Sequence, residues 1–73
     1  MVRLDEIKFS EHFWHHDRAV LCRGRVIIDR NNDGTWDIWG GVRSSAEAAR
    51  EARIGVDALT AQCVLLDYLA RYK

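Results

Sequence analysis

Apolar and β-branched residues crowd two stretches on either side of a short polar run. Ala19-Val20-Leu21-Cys22-Arg23-Gly24-Arg25-Val26-Ile27-Ile28-Asp29 precedes Asn31-Asn32-Asp33-Gly34, and Thr35-Trp36-Asp37-Ile38-Trp39 follows it. Aliphatic, β-branched and aromatic residues suit a pleated surface, so Arg18 to Gly41 reads as strand, turn, strand. Asn and Asp tolerate tight turns and Gly34 can take positive φ, so the tip is expected to be a type I turn closed by a glycine bulge. In the first strand Val20, Cys22, Gly24, Val26 and Ile28 share one face, which is expected to be the core face. Gly24 in mid-strand marks a bulge, a close backbone approach or a bend.

Upstream, a period of two puts Ile7, Phe9 and Phe13 on one face and Lys8, Ser10, His12, Trp14 and His16 on the other, which predicts a strand over about Ile7 to His15. A thin helical stripe of Leu4, Ile7 and Trp14 is the alternative. Downstream, Gly40-Gly41 ends the last strand, and Ser44-Ser45-Ala46-Glu47 carries a capping box, so a helix is expected from there to Lys73. Ala49, Ala52, Val56, Leu59, Cys63, Leu66 and Ala70 form the stripe expected to pack on the sheet. A second row of Ile54, Ala58, Ala61, Leu65, Leu69 and Tyr72 widens the apolar surface toward a partner. Gly55 implies a bend, or a short helix that stops before a second starts near Asp57. Arg53 with Asp57, and Asp67 with Arg71, are spaced for surface pairs.

These elements define an α+β fold: a small antiparallel β-meander of two or three strands packed against one long or kinked C-terminal helix. With 73 residues there is room for one domain, and a core this small makes association with a partner an expectation. Eleven basic residues balance eleven acidic ones, so no overall field draws nucleic acid or an anionic membrane. The first twenty residues contain no long apolar run, so neither a signal peptide nor a membrane span is expected, and the compartment is read as cytoplasmic. Cys22 and Cys63 lack C-x-x-C spacing and are expected to be buried free thiols.

Asp29 to Asp37 fits D-x-N-x-D-G-x-x-D and resembles the calcium loops of EF-hands and of integrin-type hairpins. By that resemblance Asp29, Asn31, Asp33 and Asp37 would be the ligands, since calcium takes six to eight hard oxygens around a tight loop. Gly40 stands where the EF-hand needs its bidentate glutamate. In hairpin register Asp29 faces Asp37, a like-charge pair that needs a cation or an arginine such as Arg30 or Arg23. The same residue types also dominate metal-free turns, which is the preferred reading. Glu11, His12, His15, His16 and Asp17 gather possible metal ligands without a complete site. No serine elbow, phosphate loop or activated cysteine is present, so no enzyme and no cofactor are expected.

Arg18, Arg23, Arg25, Arg30 and Arg43 gather around the hairpin with Trp14, Trp36 and Trp39. Arginine beside tryptophan is the composition of binding hot spots, and Arg23, Arg25, Trp36, Trp39 and Arg43 are the candidate interface. The competing reading buries two tryptophans in the core and leaves the arginines as solvated cover. The hairpin with its Asp-Gly tip and tryptophan, followed by Ser45-Ala46-Glu47-Ala48, resembles HicB-type antitoxins over about half the chain. It lacks their proline-containing segment. In size and style the chain is similar to the small proteins with which phages inhibit host defences, anti-CRISPR proteins among them. The function expected is a non-enzymatic module that binds and blocks or regulates a larger protein, with a homodimer through the C-terminal helix as a further possibility. A nucleic-acid-binding, antitoxin-like regulator and a calcium-stabilised hairpin are the alternatives, and no membrane partner is expected.

Overall fold

Each strand pairs with its neighbour in the chain. β1 (Ser10–Phe13), β2 (His16–Leu21), β3 (Val26–Asn31), β4 (Trp36–Gly40) and β5 (Ala52–Val56) form a five-stranded antiparallel sheet in sequence order, and α1 (Ala58–Tyr72) packs across one face. The computed structural model describes residues 1–13, 16–41 and 51–73, at 11–13 and 16 by backbone alone. The α+β class, the meander and the C-terminal helix are as expected from the sequence. Among the described residues the sheet has five strands rather than two or three, for reasons that lie in two short segments.

The first segment is Cys22–Gly24. What reads as one strand from Ala19 to Asp29 reverses here through a single 3-10 turn, with the Arg25 N–H donating to the Cys22 carbonyl at 3.2 Å. Leu21 then pairs with Val26, and Ala19 with Ile28. The reversal also changes which side chains point inward. Ala19, Val26 and Ile28 are buried, whereas Val20 is 58% exposed, so the single face expected for Val20, Cys22, Gly24, Val26 and Ile28 does not exist.

The second segment is Ala52–Val56, expected to be helical but paired with β4 as an edge strand. Gly55 lies where the β4–β5 register slips, at φ +66°, a conformation that suits glycine and not a helix. The helix begins only at Ala58, where the Asp57 Oδ1 accepts the Thr60 N–H at 2.8 Å as an N-cap. A helix start near Asp57 was one of the two expected outcomes. The capping box at Ser44–Glu47 lies outside the described residues. The expected N-terminal strand is shorter, Ser10–Phe13, with Ile7 and Phe9 packed against the core ahead of it.

With the helix confined to Ala58–Tyr72, its phase differs from the long stripe. Ala61, Leu65 and Tyr68 are buried against the sheet, with Tyr72 beside them. Leu59, Cys63 and Ala70 face outward and Leu66 is half-buried, so the helical part of the stripe expected to pack on the sheet does not, while Val56 of that stripe packs on the core from β5 and Ala49 lies outside the described residues. Tyr68, absent from both predicted rows, is among the largest fully buried side chains. Gly40 lets it in: a Cβ there would lie 2.8 Å from Tyr68 Cδ2 and 2.5 Å from Tyr72 Cε2, so any side chain on β4 at this point would displace the helix end.

The core is Leu4, Val26, Ile28, Ile38, Ala61, Leu65 and Tyr68. Leu4 enters it from a short 3-10 turn, Leu4–Glu6, that Gln62 holds on the helix. Gln62 Oε1 accepts the Leu4 N–H at 2.9 Å, and its Nε2 donates to the Val2 carbonyl at 2.6 Å. The Asp67–Arg71 pair forms at 3.0 Å, and Arg71 also reaches Glu51 at 3.4 Å. Arg53 and Asp57 are not a helical pair, because Arg53 belongs to β5.

Candidate functional site

On the sheet face away from the helix, strand register lines up Arg18 on β2, Asp29 on β3 and Asp37 on β4. The opposition of Asp29 and Asp37 is the one the hairpin register predicts. The arginine that resolves it is Arg18, not Arg30 or Arg23. Asp29 is 2% exposed and accepts Arg18 Nε at 2.7 Å and Nη2 at 2.9 Å, a two-pronged pair that holds the guanidinium pKa above its ordinary value. Asp37 Oδ1 accepts from Asn31 Nδ2 at 3.1 Å and from the Gly55 N–H at 2.8 Å. Arg30 instead pairs with Asp17 at 2.6 Å and lies over the Phe9 ring.

The hairpin tip closes as expected, with the Asn31 N–H on the Thr35 carbonyl at 2.9 Å, the Gly34 N–H on the Asn31 carbonyl at 3.2 Å and Gly34 at φ +87°. Asp33 Oδ1 accepts the Thr35 hydroxyl at 2.6 Å and the Thr35 N–H at 2.9 Å, and these bonds, the hydroxyl first, hold its carboxyl below the usual carboxylate range. Asn31, Asp33, Asp37 and Asp29, the four calcium-ligand candidates, are thus each engaged by protein groups. Asp29 and Asp33 lie at different depths, one buried and one fully exposed. Among the described residues no group of three or more His, Cys, Asp or Glu side chains is arranged to hold a metal ion.

The five interface candidates separate. Trp36 and Trp39 are three residues apart on one regular strand and therefore point to opposite faces. Trp36 packs into the core edge against Phe9, ring centroids 5.6 Å apart, while Trp39 lies on the polar face under the Arg18 guanidinium at 5.7 Å. Arg43 falls outside the described residues, as do the side chains of Glu11, His12, His15 and His16. Arg23 and Arg25 stay together. They project from the β2–β3 turn and, with Cys22 and Lys73, line a shallow cavity of about 380 Å³ at the end of the helix. Arg25 Nη1 makes a long 3.5 Å contact with the Lys73 carbonyl.

That turn is strained. Cys22 at φ +52° and Arg23 at φ +57° are the non-glycine residues with positive φ among those described, and Gly24 follows at φ +90°. A side chain in the left-handed region costs about 1–2 kcal/mol per residue, and such strain gathers at functional sites. Lys73 is the member the sequence reading missed, because its proximity depends on the reversal at Gly24 and on where the helix ends. Both cysteines are free thiols, but Cys63 is exposed rather than buried and Cys22 is half-buried.

Compared with known proteins, the chain matches no family model, no curated protein and no solved structure. The class that fold and site define is a small α+β domain with a strained, arginine-bearing turn. No helix among the described residues is long and apolar enough to cross a membrane.

Proposed function

We propose that this chain is a non-enzymatic interaction module that binds a larger protein and blocks or regulates it, with Arg23 and Arg25 at the centre of contact. The observation that carries this reading is the strained turn. Two non-glycine residues, half-buried Cys22 and exposed Arg23, are held in a backbone conformation that glycine would adopt more easily, and what the exposed one presents is a guanidinium. Arginine makes directional, multidentate contacts with carboxylates and is enriched where binding energy concentrates. An inhibitor of the kind phages and mobile elements direct at host defence is the most concrete form of this function, on the likeness in size and compactness.

The test separates fold from function at one residue. Arg23→Gly relieves the strained φ, so its melting temperature should equal or exceed that of the wild type, while it loses the partner captured by the tagged wild-type protein from nuclease-treated host lysate. Retention of that partner by Arg23→Gly and by Arg25→Ala would exclude the turn as the contact. A capture that is empty with nuclease, populated without it and steeply weakened by salt would instead mark a nucleic-acid binder.

A further inference from the structure

We infer that the cavity between the β2–β3 turn and the end of α1 binds a phosphate monoester, carried by the protein that this chain contacts. The inference rests on the turn being a contact site and names the chemical group it contacts. Arg23, Arg25 and Lys73 line the cavity together with Cys22, so three cations meet there from two ends of the fold. What sets these three apart is that no carboxylate engages them. Arg3, Arg18, Arg30 and Arg71 pair with Asp5, Asp29, Asp17 and Asp67. Among the described residues Arg23, Arg25 and Lys73 pair with no acidic side chain. The long contact of Arg25 Nη1 with the Lys73 carbonyl, at 3.5 Å, engages one end of a guanidinium that has five N–H donors.

Charge and shape decide the ligand. Three like charges around one cavity repel until an anion joins them. The C-terminal end of α1 supplies only about half a negative charge, and an α-carboxylate at Lys73 would add one, so positive charge stays in excess either way. A carboxylate brings a single negative charge, whereas a phosphate monoester carries about two at neutral pH and offers three strong acceptor oxygens. Two guanidinium forks and an ammonium suit that group, since each fork takes two oxygens at once and the ammonium adds a compact point charge. A nucleic-acid backbone suits the site less well. Its affinity is built from several phosphate contacts along a basic track, and here the cations serve one cavity on a chain of zero formal net charge.

Titration of the isotope-labelled protein with methyl phosphate, dimethyl phosphate or acetate, followed by NMR at neutral pH and constant ionic strength, tests this. Methyl phosphate should move the backbone amides of Cys22–Gly24 and the Nε–H resonances of Arg23 and Arg25 in a saturable way. Acetate and dimethyl phosphate, which has the single charge of a nucleic-acid linkage, should need concentrations about tenfold higher to saturate. Lys73→Ala and Arg25→Ala should each weaken methyl phosphate binding by about tenfold, with unchanged resonances elsewhere showing that the fold persists. Absence of a saturable shift overturns the proposal, as do affinities that neither substitution alters. Equal affinity for the three anions overturns it too, and a diester bound as tightly as the monoester, with acetate weaker, overturns it in favour of nucleic acid. The protein contact itself is judged separately. A partner that is still captured from phosphatase-treated lysate, and lost by Arg25→Ala, keeps that reading and removes this one.

Discussion

Asp29 shows how much of a single residue's role is written locally and how much is not. Its opposition to Asp37 follows from the length of the Asn31–Thr35 loop, and that register can be counted in the sequence. Its rescue by Arg18 cannot, because Arg18 reaches it only after Cys22–Gly24 turns β2 back along β3, and neither Cys22 nor Arg23 is a residue one would choose for positive φ. The pair is asymmetric: Asp29 is 2% exposed, while the Arg18 side chain keeps 29% of its surface. Removing the arginine therefore leaves a buried carboxylate without its principal counter-charge. Arg18→Met should lower stability by about 3 kcal/mol in urea melts. Arg18→Met with Asp29→Leu should lose clearly less than the single variant, since the stranded charge is gone. Losses that simply add would show that Asp29 does not depend on Arg18.

At the scale of elements, the hairpin of β3 and β4 was legible because residue type, turn chemistry and alternation all agree there. The C-terminal third was harder to read. From Ala46 to Lys73 the chain is rich in helix formers, and a stripe with helical spacing runs through it, yet Ala52–Val56 is a strand. The local cues that oppose a continuous helix are Ile54-Gly55-Val56, two β-branched residues around a glycine, and Asp57-Ala58-Leu59-Thr60, an N-cap in sequence. Both edge strands also interrupt their ladders, β1 between Glu11 and Phe13 and β5 beside Gly55, a device that discourages edge-to-edge pairing. The cap is testable by pH. Hydrogen bonds from Thr60, the side chain first and the backbone second, hold the Asp57 carboxyl below the usual range. A lowered folded-state pKa contributes stability that is present above the unfolded value, near 3.9, and is lost as pH falls through the folded one. Asp57→Ala should reduce the melting temperature at neutral pH by about 5 °C. The difference from the wild type should narrow only under strongly acidic conditions, and Asp57→Asn, a capable cap without a charge, should lose less at neutral pH.

For the molecule as a whole, stability rests on a core with little redundancy. A 73-residue domain has about 4–11 kcal/mol to lose, and its core, seven residues among those described, draws on both ends of the chain. Leu4 is 7% exposed and lies against a helix that starts more than fifty residues later, held there by the two Gln62 hydrogen bonds. In the sequence Leu4 stands out only as one end of a thin helical stripe with Ile7 and Trp14, and its contact with α1 is set by where the last helix comes to rest. The N-terminal turn is therefore part of the cooperative unit rather than an appendage. Leu4→Ala should cost about 2–3 kcal/mol, the loss of a buried leucine and the cavity it leaves. The urea midpoint should move down by a large fraction of its value with little change in slope. Tryptophan fluorescence and far-UV circular dichroism should still report one coincident transition. An unchanged midpoint would mean that residues 1–9 unfold separately from the sheet and helix, and the clasp by Gln62 would then be a surface contact of no consequence for the fold.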